Sequence, residues 1–376
     1  MTRIVQIVAV VGPGSGVAGV AWNLEREWRS LGAEVEDFTF DSARRRAARP
    51  WPRRSLARRF ARAWRTIWFS TAGTIRAREF LAERPGAVSL CHHNVLAGDV
   101  YVSHGVINAA MNARGNGAWR MLRNPTHIFT HVRDRHRFRS GTHRRVVALS
   151  HEEARVLRAT YGRIRPPIVV IPNGVDLQRF HPPTSPQRRA ARETFHLDDE
   201  ARVAIFVGHE FERKGLSYAI DALVEATTVL LLVVGGSAQI MEDARHHAER
   251  IGVGDRVLLV GPRQDLELFL AAADFFVLPS AYESNALVIL EALAAGLPVI
   301  TTRTGYAPEI IVDGSNGYLV DRDPHELAKR FEELAAADLG PWSQRARASV
   351  EDHGWTAIAQ RYLDLFAEVE RERAAP

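Results

Sequence analysis

The chain has one cysteine, Cys91, among 376 residues. A lone thiol excludes a disulfide framework and a thiolate zinc cluster, and suits a reducing cytoplasm. Lysine is nearly as scarce: of 49 basic residues only Lys214 and Lys329 are lysines. No stretch approaches 18 uncharged apolar residues, so no membrane span is expected. The opening MTRIVQIVAVVGPGSG lacks the apolar length and small-residue cleavage site of a secretory signal. Acids are missing between Asp41 and Glu79, where RRRAARPWPRRSLARRFARAWR carries ten arginines. A second basic run, WRMLRNPTHIFTHVRDRHRFRSGTHRR, covers 119–145. This asymmetry within a net charge of +5 points to an anionic partner surface, against the plainer reading of a solvated face. No nucleic-acid-binding module accompanies the charge, so no nucleic acid is expected.

What is present is a repeating α/β rhythm. IVQIVAVV has strand length, GPGSGVAG turns, VAWNLEREWRSLG has helical spacing, and AEVEDFTF is a second strand. Short strands follow at AVSLCHH, DVYVSH, RVVALS and PIVVIP. SHEEARVLRATYG predicts a helix with Ser150 as N-cap and Glu153 closing a capping box. The turn IPNGVDLQRFHPP interrupts the rhythm, and a second set begins: ARVAIFVG, KGLSYAIDALVEA, TVLLLVVGG, AQIMEDARHHAERIG, RVLLVG, DLELFLAAA, DFFVLPS, ESNALVILEALAAG, PVITT and NGYLV. HGWTAIAQRYLDLFAEVERER ends the chain as an amphipathic helix. Two parallel-sheet domains are therefore expected, with ligands beyond the carboxyl ends of their strands.

Three constellations carry chemistry. GSGVAG at 14–19 matches G-x-G-x-x-G, whose glycines let backbone approach a phosphate, and Asp37 lies near the place of a ribose-binding acid. An NAD(P)-dependent oxidoreductase is thus an alternative, although Gly12 and Pro13 lengthen the loop and glycines also serve packing alone. GHEFERKG puts Arg213 and Lys214 between a strand and a helix, where cations can clamp a diphosphate or simply face water. Finally, YESNALVILEAL places Glu283 and Glu291 eight residues apart, about two helical turns and roughly one face. Glu283 falls in the loop and Glu291 within the helix, whose first N–H groups near residues 284–287 suit a phosphate.

With these residues in hand, the sequence resembles the GT-B retaining glycosyltransferases of family 4. The resemblance is strongest from VALSHEEARVLRATYG through IPNGVDLQRFHP, FVGHEFERKG and LPSAYESNALVILEALAAGLPVITTRTGYAPEIIVDGSNGYLV. The pair Glu283 and Glu291 matches that family's E-x7-E motif, and G-x-x-F-x-R-K-G looks most like its lipopolysaccharide-core glucosyltransferase branch. The resemblance implies two Rossmann-like domains facing across a cleft. The acceptor-binding one would comprise 1–174 plus the C-terminal helix 355–376, which crosses back to it. The nucleotide-sugar-binding one would comprise 175–354.

The activity implied is metal-independent transfer of a sugar, with retention and front-face attack, from a UDP- or GDP-sugar type donor to a glycan, glycolipid or small glycoside. No cofactor is implied. Glu283 would contact the donor sugar, Glu291 the ribose, and Arg213 and Lys214 the leaving diphosphate. Ser284, Asn285, Ala286 and Leu287 would offer backbone to phosphate. Gly14 and Gly16 would lie against donor and acceptor, His104 of VYVSHGV near the transferred sugar, and Arg263 beside the base. The sequence departs from the family where His209 replaces a frequent arginine after the strand-end glycine, and where ESNA replaces E-G-F-G.

An envelope-polysaccharide role in the cytoplasm is expected from the same resemblance. Peripheral attachment to the inner face of the membrane is expected through basic helix 53–68, where Leu56, Phe60, Trp64, Ile67 and Trp68 follow helical spacing and Arg58, Arg59, Arg62 and Arg65 fall elsewhere. The competing reading buries that apolar face on the domain's own sheet.

Overall fold

The computed structural model describes residues 2–14, 16–44 and 55–374. It divides into two units, one of 1–173 and 355–376, the other of 174–354. The first holds a six-stranded sheet of β1 (Arg3–Ile7), β2 (Glu34–Phe38), β3 (Val88–Cys91), β4 (Val100–Val102), β5 (Arg145–Ala148) and β6 (Ile168–Val170). Its strand order is β2-β1-β3-β4-β5-β6, and each neighbouring pair is parallel. The strands are short apolar runs because helices cover both faces of a parallel sheet, so successive residues are both buried. β3 and β4 are buried at every position.

Two segments outside the strand–helix alternation complete the first unit. The C-terminal helix Trp355–Ala374 packs on the helix Gly16–Ser30. There Trp28, fully buried, donates its indole N–H to the Ala359 carbonyl at 3.1 Å and meets Phe366 and Tyr362 ring to ring. The basic helix runs over Ser55–Ser70. Phe69 and Trp68 turn inward onto Phe40, while Phe60, Ile67 and Trp64 stay exposed, Trp64 meeting Phe40 edge-on. The helix thus divides between both readings of its apolar residues. Residues 53–54 and the side chains of Leu56, Arg58 and Arg59 lie outside the described residues.

The second basic run is in part a correction to the idea of an anionic-partner surface. Arg133 and Arg137 lie in the helix Pro125–Arg139 and are buried. Both bind Asp134, and Arg137 also donates to the Val95 carbonyl at 2.9 Å. These arginines are interior supports, tolerated because each is paired and hydrogen-bonded.

The second unit has β7 (Arg202–Val207), β8 (Val229–Val234), β9 (Val257–Gly261), β10 (Phe275–Leu278), β11 (Val299–Thr302) and β12 (Gly317–Val320). Their order is β12-β11-β10-β7-β8-β9, again all parallel. In this doubly wound order the topological switch lies between β7 and β10, and in the first sheet between β1 and β3. The chains leaving those strands' carboxyl ends diverge there, so a crevice opens for a ligand.

Two predicted helices differ from expectation. KGLSYAIDALVEA is interrupted, with a short helix Phe211–Lys214 followed by Leu216–Ala222. Gly215 between them has φ +78°, and a Cβ there would stand 2.2 Å from the Pro279 carbonyl oxygen. Only glycine allows that left-handed turn against the end of β10. The helix predicted over 283–296 begins only at Leu287 and ends at Ala294. Residues 283–286 form the turn before it, held by their contacts described below.

Candidate functional site

In the second unit the expected residues gather at the β7/β10 switch. Glu283 Oε1 accepts from Lys214 Nζ at 3.0 Å, from Arg213 Nη1 at 3.0 Å and from Ser280 Oγ at 2.9 Å. Burial would raise this carboxyl, but Lys214 and Arg213, with Ser280, outweigh it and hold the group below its ordinary value. Glu283 is therefore a fixed carboxylate. Its Oε2 receives no hydrogen bond from the described residues, which leaves an acceptor for an incoming hydroxyl. Arg213 also donates to Glu210 Oε2 at 2.8 Å and to the Tyr282 carbonyl at 2.5 Å. It serves first to hold the 280–283 turn.

Glu291 is different. It lies one turn into its helix, and no described residue gives its carboxylate a hydrogen bond. Burial, opposed by Arg179 and Lys214 and reinforced by Glu267, raises it to about 7. The helical-face argument for the pair does not survive, since 283–286 is not helical. The two acids converge because the turn after β10 brings one beside Lys214 and the helix presents the other toward the same lysine's field. Helix Leu287–Ala294 follows Ala286 with no side-chain cap bond, and Ile289 N–H donates to the Ala286 carbonyl at 3.0 Å, which leaves the N–H groups of Leu287 and Val288 at the positive end of the dipole. Asn285 is buried, while Ser284, Ala286 and Leu287 are half-buried.

Other expected residues stand apart. His209 is exposed just beyond β7. Arg263 is exposed, and its Nε and Nη2 donate to the two carboxylate oxygens of Asp265 at 2.9 and 2.7 Å. A set of supports went unseen in the sequence. Arg322 donates to the Pro279 carbonyl at 3.0 Å and the Glu212 carbonyl at 3.2 Å, tying the two site loops together. Thr302 donates to the Ser280 carbonyl at 2.6 Å. Gly305, at φ +58°, lets its loop pass the Glu283 and Ser284 carbonyls, where a Cβ would approach to 2.7 and 2.4 Å. Thr302 and Gly305 sit in TTRTGYAPE, whose Thr-Gly pattern after a strand is a signal for such a loop. Arg322 had no signal, because its partners are 43 and 110 residues away.

The first unit carries a second cluster at its own switch. His104 Nε2 lies 3.1 Å from His92 Nδ1, and His92 Nε2 lies 2.9 Å from Gln6 Oε1. His93 meets His104 edge-on, with ring centroids 5.6 Å apart. Burial lowers His92 to about 3 and His93 to about 4, and pushes His104 well below its ordinary value, so all three rings are neutral at physiological pH. Glu153 holds the adjoining loop, accepting from Ser103 Oγ at 2.8 Å and the Leu149 N–H at 2.8 Å. The capping box is thus half formed: Ser150 accepts from the Glu153 N–H as expected, but the Glu153 carboxylate turns away to this loop.

Gly14 and Gly16 have φ +129° and +75°, and a Cβ on Gly19 would stand 1.9 Å from the Gly14 carbonyl oxygen, so the glycine loop folds onto its own helix. Ser15 lies outside the described residues. Asp37, the candidate ribose acid, accepts from Gln6 Nε2 at 3.1 Å. Among the described residues no three His, Cys, Asp or Glu side chains form a metal-binding group.

Comparison with known proteins matches two family models in tandem. The first, described as Glycosyltransferase Family 4, covers residues 14–179; the second, Glycosyl transferases group 1, covers 201–337. A D-inositol 3-phosphate glycosyltransferase of Xylanimonas cellulosilytica is 34% identical over 242 residues, 61% of this chain and 58% of that protein. The chain spans a little over half the length of this and several similar curated relatives. Among solved structures, WaaG, a glycosyltransferase involved in lipopolysaccharide biosynthesis, superposes with TM-score 0.75 at 21% identity, covering 96% of this chain and 99% of that one. Anabaena HepE in complex with UDP-glucose does so with TM-score 0.69 at 18% identity, covering 97% and 99%. At these identities the structural likeness shows the fold, which is GT-B.

Proposed function

We propose, starting from the premise that the chain belongs to the family 4 and group 1 glycosyltransferases, that it transfers a sugar from a nucleoside-diphosphate sugar to an acceptor hydroxyl. The observation that carries this reading is the contrast between the two glutamates at one strand-end switch: Glu283 locked as a carboxylate, Glu291 half-buried, desolvated and without a donor among the described residues. A desolvated acid lacking partners is costly unless a ligand supplies them. Two ribose hydroxyls would do so for Glu291, and a sugar hydroxyl would occupy Oε2 of Glu283.

In this reading Lys214 and the first N–H groups of helix Leu287–Ala294 take the diphosphate, with Arg213 adding charge while it holds the turn. Their charge stabilises the leaving group as the bond between the anomeric carbon and the phosphate oxygen breaks, without requiring a metal. The acceptor oxygen forms its new bond on the same face, and its proton passes to the departing phosphate oxygen. Configuration is retained and no covalent enzyme intermediate forms. The acceptor is a glycan, glycolipid or small glycoside. Because the relative from Xylanimonas cellulosilytica is named for an inositol phosphate, inositol 3-phosphate belongs in the acceptor panel. The oxidoreductase alternative rests on the glycine loop and on Asp37, whose Oδ1 accepts from Gln6 Nε2 at 3.1 Å.

The test is a thermal-shift panel of UDP-, GDP-, ADP- and TDP-sugars with NAD and NADP. One nucleotide-sugar at a hundred times its Kd stabilises the protein by about 2.7 kcal/mol, and Glu291→Ala loses that response. A response to NAD or NADP alone overturns the reading.

A specific observation also favours an anionic lipid surface as partner of the first unit. Phe60 and Ile67 on helix Ser55–Ser70, Trp119 and Leu122 on helix Gly117–Arg123, and Ile128 and Val132 on helix Pro125–Arg139 are exposed. Helix Pro125–Arg139 packs on both of the others, and exposed Arg62, Arg120 and Arg123 lie among them. Tryptophan and phenylalanine edged by arginine suit the headgroup boundary, each cation adding about 1 kcal/mol near an anionic surface. No described helix is long and apolar enough to cross a membrane, so attachment would be peripheral. In vesicle sedimentation, binding to phosphatidylglycerol vesicles is expected, with none to phosphatidylcholine alone. The triple change Arg62→Glu, Arg120→Glu, Arg123→Glu abolishes it. Equal binding by the triple variant removes the proposal.

A further inference from the structure

We propose that the first unit carries a binding site for a small soluble phosphomonoester, in an arginine-lined cavity at the amino ends of β5 and β6. The site goes beyond the transferase reading and uses none of its residues. The cavity holds about 330 Å³ and is lined by Arg158, Arg163 and Arg165, with Gly162 and the pair Pro166 and Pro167. It sits where helix His151–Tyr161 ends and the chain turns into β6. The β1/β3 switch with its histidines lies at the opposite, carboxyl edge of the same parallel sheet.

The charge around this cavity is not balanced from within the chain. Residues 125–167 hold ten arginines against three acids, and each acid is engaged elsewhere. Asp134 binds Arg133 and Arg137, Glu152 binds Arg155, and Glu153 accepts from Ser103 and the Leu149 N–H. Arg144 and Arg145 meet Asp99 and Glu372 from outside the segment. Among the described residues, Arg135, Arg139, Arg158, Arg163 and Arg165 have no carboxylate partner, and the side chains of the last three donate no hydrogen bond. Nor are these guanidinium groups spent on the helix end. There the Arg158 carbonyl accepts from the Gly162 N–H, and the Tyr161 carbonyl accepts from Arg139 Nε at 3.0 Å. Like charges gathered in one cavity repel, and a bound anion removes that cost.

The walls are held in place. The Arg165 N–H donates to the Phe138 carbonyl at 2.8 Å, which ties the 162–167 loop to the end of helix Pro125–Arg139. Gly162, at φ +74°, takes a left-handed turn beside a fourth guanidinium: a Cβ there would stand 3.2 Å from Arg139 Nη2. Two successive prolines stiffen the entry to β6. This arrangement suits phosphate over carboxylate. Each guanidinium donates in a planar fork. A carboxylate offers two oxygens to such forks, whereas a phosphomonoester offers three and a charge of about −1.5 to −2 at neutral pH. The volume, at the small end of ligand pockets, takes a small phosphorylated molecule and not a polymer.

Isothermal titration of glycerol 3-phosphate into the full-length protein tests the site. Saturable binding is expected in the wild type and in Lys214→Met, which removes a cation of the proposed donor site. In the double variant Arg163→Gln, Arg165→Gln, affinity is expected to fall roughly tenfold or more, as loss of hydrogen bonds to a charged group does. Both arginines are exposed, so the double variant is expected to keep the wild-type unfolding midpoint. Succinate, a dicarboxylate, is expected to bind the wild type roughly tenfold more weakly. Absence of saturable binding in the wild type, equal binding of succinate, or unchanged affinity in the double variant overturns the proposal. So does binding lost in Lys214→Met and kept in the double variant, which would return the phosphate to the donor site. If glycerol 3-phosphate is not bound but the double variant loses sedimentation with phosphatidic acid vesicles, these arginines belong to a lipid surface and the soluble ligand is overturned. The cavity shares no residue with Glu283, Glu291 or Lys214. Binding here therefore stands if no nucleotide-sugar is turned over, and its failure leaves the transferase reading intact.

Discussion

Glu283→Gln is expected to lower kcat/KM by about 10²–10³-fold while leaving the protein folded at neutral pH. The substitution keeps shape and removes charge. It takes from Lys214 and Arg213 the carboxylate that both contact at 3.0 Å, and puts an amide beside the reacting sugar. Two partly buried cations then lack their counter-ion, so a stability loss of about 1–3 kcal/mol accompanies the kinetic one, below the full cost of breaking a deeply buried pair. The carboxyl is held below its ordinary 4.5. Its contribution is therefore complete above that pH and disappears as pH falls through the lowered folded value. Wild type and variant should converge in urea-unfolding stability on acidification below pH 4.5. Activity within threefold of wild type would remove Glu283 from the reacting centre. A glycosyl adduct on Glu283, sought by mass spectrometry of the intact protein during turnover, would replace front-face transfer by a covalent route.

Glu291→Gln is expected to separate stability from binding. The folded-state carboxyl is raised to about 7 from 4.5, first by burial. The unfolded chain releases this proton above 4.5 while the folded chain keeps it until about 7. Stability from this group is thus highest below 4.5, declines as pH rises to about 7, and is flat beyond. Glutamine removes that penalty. The ligand-free variant should match wild type near pH 4.5 and exceed it at pH 8, by about 3 kcal/mol at most and less to the extent that solvent reaches the group. Glu153, raised to about 7 also by burial, tilts both proteins alike and cancels in the difference. Donor affinity at pH 8 should fall about tenfold or more, since a charged acceptor of hydroxyls is lost. Urea unfolding at the two pH values with nucleotide-sugar titration reads both effects. A variant less stable than wild type at pH 8 would mean that the carboxylate has a structural partner and is no ligand group.

The tandem α/β architecture was legible because it is local. Apolar runs of strand length alternating with helical spacing name each layer, and the pause at IPNGVDLQRFHPP spans residues 173–174, where the chain passes from the first unit to the second. The motif pair Glu283 and Glu291, with Arg213 and Lys214, was legible because short spacings survive folding. Covalent order and side-chain type are enough for these.

Charge state and partnership were not legible, and they decide the chemistry. Lys214 reaches Glu283 across 69 residues, and His92 reaches Gln6 across 86. Arg133 and Arg137, indistinguishable in a basic run from solvated arginines, are buried supports. Asp37 accepts at Oδ1 from the Gln6 amide, a partner 31 residues away that the sequence did not show. Two glutamates of one motif were equal in the sequence, yet desolvation with three donors keeps one ionised, while desolvation without donors raises the other. Composition and periodicity settle which residues can lie on a strand end. Only the folded chain determines what each meets there, because a pKa or a tautomer is set by burial and by donors that arrive from distant parts of the sequence.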